Sequence, residues 1–212
     1  MWTLHDMWPF TGGCHYAANC IRLGEGCGKC PLLRTAGEND ISRWQCREKE
    51  SIYQNQKMVF VAPSTWMAQK AGSSYLGRKI PCVVIPNALN TDVFTRFPMP
   101  EARKKMGLPE KGFCLLFGAA NVTEERKGFS KLLQAIEYLK KDFPGLSGKI
   151  FLAIFGKSRE QYTFPFPVHS FQYISDTDKL VALYNAANVF LLPSLEDNLP
   201  NTVMEALSCG TP

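Results

Sequence analysis

Residues 113–139 read FCLLFGAANVTEERKGFSKLLQAIEYL. Phe113–Phe117 is a short, continuous apolar run, the pattern of a strand buried on both faces. Downstream, Phe129, Leu132, Leu133, Ile136 and Leu139 recur at the i, i+3, i+4, i+7 spacing of an amphipathic helix. The same alternation extends outward. Towards the C-terminus come a strand over Ile150–Phe155, a helix over Lys179–Ala187, a strand over Val189–Leu192 and a helix opening near Asn201. Towards the N-terminus, Cys82–Ile85 and Met58–Ala62 read as buried strands, with a helix from Ser64 through Tyr75 between them. Residues 41–57 read as helical, and Trp2–Leu4 as the end of a strand. Strands apolar on both faces, alternating with helices, imply α/β architecture with parallel sheets covered on both sides. Residues 9–31 are too rich in Gly, Pro and Cys to form a regular element. The Pro-, Lys- and Arg-rich stretch over residues 90–110 separates two apolar regions and marks a domain boundary, placed after residue 95.

Composition excludes several classes. The 212 residues are 45% hydrophobic and 20% charged, with 14 Phe, 7 Tyr and 4 Trp, so the chain can bury a core and is not disordered. No apolar run has the length of a membrane span, the start lacks a basic-then-apolar leader, and no fixed repeat recurs. A cytoplasmic protein with reduced thiols is expected. The net charge of +5 is uneven: residues 61–160 carry 16 Lys/Arg against 8 Asp/Glu, whereas residues 161–212 carry 1 against 5. A basic middle suits a nucleic acid, a membrane surface or a phosphorylated small molecule, and equally a set of solvated helix faces.

Ligands of open α/β sheets bind at the carboxyl ends of strands, near helix N-termini. Residues 193–205, PSLEDNLPNTVME, supply such a place: a strand end, an acidic loop and a helix start at Asn201 or Thr202. The segment Asn198, Leu199, Pro200, Asn201 and Thr202 would form an anion site through the free N–H groups of its non-proline residues, with Asp197 and Glu205 spaced to accept hydrogen bonds from sugar hydroxyls. An N-capped, exposed helix is the alternative. A second place is Glu125-Arg126-Lys127-Gly128, where two cations open a helix against its dipole. Either they reach over a diphosphate as charge-assisted donors, or Glu124 and Glu125 pair with them in a surface turn. Glycines at strand ends, Gly118 and Gly156, are weaker candidates.

PSLEDNLPNTVMEALSCGTP, residues 193–212, resembles the PS-x-x-E-G-F-G-x-x-x-x-E-A pattern of retaining family-4 glycosyltransferases of GT-B architecture. Asp197 stands at the first acidic position and Glu205 at the second. KGFSKLLQAIEYL resembles the family's Lys-Gly motif and helix; the family's arginine falls where this chain has Val122, and Arg126 is its substitute. IPNALNTDVF resembles the segment joining two Rossmann-like domains, FVAPSTWMAQKA the step before it, and TLHDMWPFTGGCHY the strand-end histidine of the N-terminal domain.

The resemblance implies an incomplete chain: residues 1–95 as the second half of an acceptor-side domain, and residues 96–212 as a truncated nucleotide-sugar-binding domain. It implies a sugar donor of the UDP or GDP type and a glycan or lipid-linked acceptor, with configuration retained. Lys127, Arg126 and the amides near Asn198–Thr202 would stabilise the departing diphosphate without a metal. Glu205 would hold the ribose, Asp197 the sugar, and His5 would orient the sugar or touch the phosphate. No nucleic-acid partner is expected; the basic segment Arg96–Lys105 is a candidate peripheral contact with the inner face of the membrane. The rivals are a non-catalytic nucleotide-sugar or nucleic-acid binding module, and an inactive fragment.

Cys14, Cys20, Cys27 and Cys30 lie within seventeen residues. A C-x2-C pair is typical of structural zinc, with His15 as a competing ligand, although the first pair is widely spaced. Redox-labile thiols or simple buried thiols fit the same residues. Cys46, Cys82, Cys114 and Cys209 are read mainly as small buried hydrophobes.

Overall fold

The computed structural model describes residues 1–121, 124–157 and 163–212. Val122 lies outside the described residues. The chain divides into two compact units, Met1–Asn87 and Ala88–Pro212, so the division falls before residue 88 rather than after residue 95. The reason is packing: Phe94 and Phe97 are packed against the core of the second unit, and Asn185 Nδ2 donates to the Thr95 carbonyl at 3.0 Å.

The first unit holds a parallel sheet in the order β1 (Trp2–Thr3), β2 (Phe60–Ala62) and β3 (Cys82–Val84). Two helices accompany it. In α1 (Ile41–Gln54) the Asp40 carboxylate caps the start, accepting from the amides of Ser42 and Arg43 at 3.0 and 3.3 Å. In α2 (Thr65–Ser73) Ser64 caps in the same way, through the Met67 amide. Leu4, Met7, Phe10, Phe60 and Met67 form the centre of the core. The central strand β2 is wholly buried, but β3 is an edge strand with Val83 and Val84 exposed, so an apolar run alone misjudged its surroundings. The loop after β1 is secured by a buried lysine. Lys49 Nζ donates to the carbonyls of Trp8 at 2.6 Å and Thr11 at 2.9 Å and lies 3.6 Å from the Trp8 ring centroid. Burial pushes its ammonium down to about 8.

The second unit carries a parallel sheet ordered β6-β5-β4-β7, with β4 Phe113–Asn121, β5 Ile150–Lys157, β6 Val168–Phe171 and β7 Val189–Leu191. Alternate residues of β4 serve opposite layers. Leu115 and Phe117 meet Phe129, Leu132 and Ile136 of α4 (Phe129–Asp142). Cys114 and Leu116 belong to the layer with α3 (Met99–Met106), α5 (Thr177–Ala186) and α6 (Asn201–Ser208). Full burial of each large apolar side chain contributes about 1.5–3 kcal/mol, which is why both faces of this sheet are covered.

Two elements depart from the sequence reading. The stretch read as a linker contains α3, whose inward face carries the buried Arg103. Its guanidinium donates to the carbonyls of Ala186 at 3.0 Å and Glu110 at 2.9 Å and to Asn188 Oδ1 at 2.8 Å. Arg103 is therefore not available to a membrane surface. The edge strand β6, VHSF, is short and half-polar and was not anticipated. No helix among the described residues is long and apolar enough to cross a membrane.

Candidate functional site

β4 and β7 are neighbours, with Phe117 opposite Leu191, so the loops after them emerge side by side at the carboxyl edge of the sheet. That adjacency joins two segments that lie 70 residues apart. Lys127 Nζ donates to Asp197 Oδ2 at 2.6 Å, and Arg126 Nη1 stands 3.5 Å from Asp197 Oδ1. Arg126 also donates to the Glu196 carbonyl at 2.8 Å and to Glu124 Oε1 at 3.0 Å. The Asp197 carboxylate additionally accepts from the Asn198 amide at 3.1 Å and the Ser194 hydroxyl at 3.4 Å. Side-chain exposure of Arg126, Lys127 and Asp197 is only 19, 20 and 14%, so these charges interact through less water than an ordinary surface pair.

Gly128 allows the approach. Its φ is +70°, and a Cβ there would lie 1.9 Å from the Pro193 carbonyl oxygen. The Leu195 amide donates to the Arg126 carbonyl at 2.8 Å, tying the two loops at a second point.

The loop from β7 runs directly into α6. Pro200 at its N-cap offers no side-chain acceptor, and the first turn contains no acidic residue. The positive end of the helix dipole is therefore not offset by a carboxylate within that turn. Glu205, half-buried on α6, accepts from the Tyr184 hydroxyl at 2.7 Å through Oε2. Burial raises its carboxyl above the usual range, while the Tyr184 hydrogen bond acts in the opposite direction. Tyr184 is itself fully buried on α5, edge-on to Phe155 and Phe190 at 6.1 and 5.8 Å.

The structure thus gathers Arg126, Lys127 and Asp197 into one network, with Asn198–Pro200 leading from Asp197 to the start of α6 and Asn201 and Thr202 in its first turn. Glu205 is held separately by Tyr184, a partner that sequence reasoning missed because a tyrosine in an apolar helix reads as core. Gly118 is buried opposite Phe155 in the sheet, and a Cβ there would fall 2.0 Å from that ring. The Phe155 ring therefore fills the space a side chain at Gly118 would need. Gly156 lies buried within β5 at φ +123°. His5 follows β1 in the first unit and is exposed. His15 does not join the cysteines: its Nδ1 is 2.8 Å from Asp6 Oδ2.

The four clustered cysteines line one cavity of about 310 Å³ in the first unit, and none is in a disulfide. Cys27 is held below the ordinary thiol range first by a hydrogen bond from Cys46, with the Gly12 amide also donating to its Sγ at 3.1 Å. Cys46, Cys114 and Cys209 are buried, as expected; Cys82 is only partly so.

Parallel sheets in both units, with a cationic site where two strands end, define an α/β protein of the GT-B-like kind. Residues 98–212 match the profile of the glycosyl transferases group 1 family, and the chain belongs to that family. Across its whole length it is 29% identical to WcaC of Escherichia coli (strain K12), whose name assigns it to colanic acid biosynthesis as a glycosyl transferase; half of that protein is covered. It is 27% identical to a D-inositol 3-phosphate glycosyltransferase of Acidothermus cellulolyticus (strain ATCC 43068 / DSM 8971 / 11B) over 61% of this chain and 31% of the other. The chain therefore spans half or less of these relatives. Among solved structures, a sucrose-phosphate synthase from Thermosynechococcus elongatus superposes with a TM-score of 0.61 at 22% identity, covering 82% of this chain and 43% of that one. A trehalose-6-phosphate structure from E. coli bound with UDP-2-fluoro glucose gives a TM-score of 0.60 at 11% identity, covering 76% and 46%. At these identities the likeness concerns the fold.

Proposed function

We propose that the protein transfers a sugar, with retention, from a nucleoside-diphosphate donor to a glycan or lipid-linked glycan, and that residues 98–212 hold the donor. The observation that carries this reading is the Arg126–Lys127–Asp197 network beside the start of α6. When a sugar leaves its donor, negative charge grows on the β-phosphate oxygen. Fixed cations and helix amides aimed at that oxygen stabilise the transition state more than the ground state. Arg126, Lys127 and the amides over Asn198–Thr202 fill that role. With two positioned cations, the leaving group does not call for a divalent metal.

Asp197 has two duties. Without donor it neutralises Lys127; the incoming diphosphate competes for the ammonium, and the carboxylate turns to the sugar hydroxyls. Glu205 accepts from the ribose hydroxyls through Oε1, while Tyr184 fixes Oε2. The exposed Arg96, Lys104 and Lys105 are what remains of the basic segment for contact with an anionic membrane. The relatives named as glycosyltransferases support transfer, and the neighbour solved with UDP-2-fluoro glucose supports a nucleotide-sugar donor.

The test is release of nucleoside diphosphate by the full-length protein from UDP- and GDP-sugars, with candidate lipid-linked and free glycans supplied as acceptors. Acceptor-dependent release from one donor is expected. Donor binding with no release under any acceptor would favour the inactive-module reading instead.

Tyr184→Phe offers a finer check. Losing one hydrogen bond to a carboxylate costs about 1 kcal/mol or slightly more, so donor affinity falls roughly 5- to 10-fold. The Glu205 carboxyl also moves further upward, because the hydroxyl that favours its charged form is gone. Acid therefore weakens donor binding at a higher pH in the variant. Calorimetric titration across pH detects both effects, and an unchanged affinity would show that Glu205 does not depend on Tyr184.

A further inference from the structure

The Cys14–Cys30 loop is ordered without the usual means. It contains no strand and only one short 3-10 turn, Ile21–Glu25, in which no residue is buried. Yet its backbone is tightly specified. Among the described residues, the non-glycine residues with positive φ are Ala18, Cys27 and Lys29, at +45°, +62° and +47°, and all three lie between Cys14 and Cys30. A left-handed conformation costs an L-residue about 1–2 kcal/mol, and it persists where the surroundings over-determine it.

The turn Cys27-Gly28-Lys29-Cys30 is pinned from α1. The Cys30 amide donates to Asp40 Oδ2 at 2.8 Å and the Gly28 amide to Ser42 Oγ at 3.1 Å. On the other side, Gly12 brings its amide to Cys27 Sγ, and a Cβ at Gly12 would lie 3.0 Å from that sulfur and 2.1 Å from the Ser42 carbonyl oxygen. An amide aimed at sulfur favours the thiolate and is the kind of outer contact that orients a metal-bound ligand. All four thiols wall the same cavity, whose lining also includes Leu32, Leu33, Ile41 and Arg22. The Arg22 guanidinium is paired with Glu25 and Glu38 and donates through Nε to the Gly28 carbonyl at 3.4 Å, bracing the turn between Cys27 and Cys30.

We propose that Cys14, Cys20, Cys27 and Cys30 are the ligands of a metal–thiolate centre that fills this cavity and holds the loop in its left-handed path. The centre is structural: it lies in the first unit, and its stabilisation does not depend on the donor chemistry proposed for the second. Two occupants share this chemistry. A single zinc ion draws its sulfurs to about 2.3 Å, hence about 3.8 Å from one another. Among the described residues, no three His, Cys, Asp or Glu side chains are gathered so as to hold an ion as they stand. Zinc therefore requires the cavity to contract, which a change of χ1 allows by swinging a sulfur about 3 Å. An iron–sulfur cluster is likewise held by four cysteine thiolates.

The experiment is metal and acid-labile sulfide analysis of the full-length protein, purified anaerobically without chelator, with a count of its reactive thiols. About one zinc per chain without sulfide identifies the single ion; iron with matching sulfide and visible absorbance identifies the cluster. Either result supports the centre, provided that Cys27→Ser with Cys30→Ser removes the metal, Cys82→Ser retains it, and stripping the native protein exposes four further thiols. A folded, metal-free protein whose four loop thiols react freely, or are paired as disulfides, would overturn it. The wild-type measurement decides even if the double variant fails to fold.

Discussion

Lys127→Ala slows sugar transfer about 100- to 1000-fold, the loss typical when one fixed donor to a developing negative charge is removed. The ammonium is the nearest cation to Asp197, at 2.6 Å, and it sits where the diphosphate would displace that carboxylate. The loss falls mainly on kcat, because the charge on the leaving oxygen is greatest in the transition state. Stability changes far less. Arg126 remains 3.5 Å from Asp197, and the Ser194 hydroxyl and Asn198 amide still donate to it. A pair about one-fifth exposed is worth on the order of 1 kcal/mol after solvent screening. Steady-state rates and a thermal melt, taken together, separate the effects. A variant that melts several degrees lower and loses rate only in proportion to its folded fraction would make Lys127 a strut rather than a catalytic residue.

Gly128→Ala has the largest effect expected on stability. Alanine must adopt φ near +70° and place its Cβ 1.9 Å from the Pro193 carbonyl oxygen, which is backbone and cannot rotate away. The left-handed conformation and the overpacking together cost about 2–4 kcal/mol. Relief requires the 193–197 loop to retreat, taking Asp197 from Lys127, so donor binding fails along with stability. Gly145→Ala is the control, because its added Cβ meets nothing within 4 Å. Chemical denaturation of both variants gives the comparison; equal midpoints would mean that the two loops are not in the contact described.

Part of this site was legible before any coordinates. The amphipathic spacing from Phe129 to Leu139 and the apolar run at Phe113 identify β4 and α4 because each combines a strong period with the right length. Arg126, Lys127 and Asp197 were recognisable as residues that follow strands, yet their contact rests on β4 and β7 being neighbours, a fact of topology that no local pattern encodes. The helix α3 was hidden for a physical reason. Prolines at its start are compatible with a first helical turn, but its inward face carries a charge, Arg103, satisfied by carbonyls from Ala186 and Glu110. Lys49 escaped notice in the same way: a lysine on a polar helix reads as solvated until the carbonyls of Trp8 and Thr11 are seen to enclose it. At Gly118 the pattern gave no sign of Phe155, whose ring occupies the space a side chain there would need.

The central claim is that residues 98–212 form a donor site in which Glu205 grips the nucleoside. Equilibrium binding of UDP, GDP and ADP to the folded full-length protein, with Glu205→Ala alongside, tests it most directly. The account predicts micromolar binding of one diphosphate above the others, weakened about tenfold or more in the variant, equivalent to about 1.4 kcal/mol. A demonstrably folded protein that binds none of the three, or binds one equally well without the Glu205 carboxylate, would contradict it.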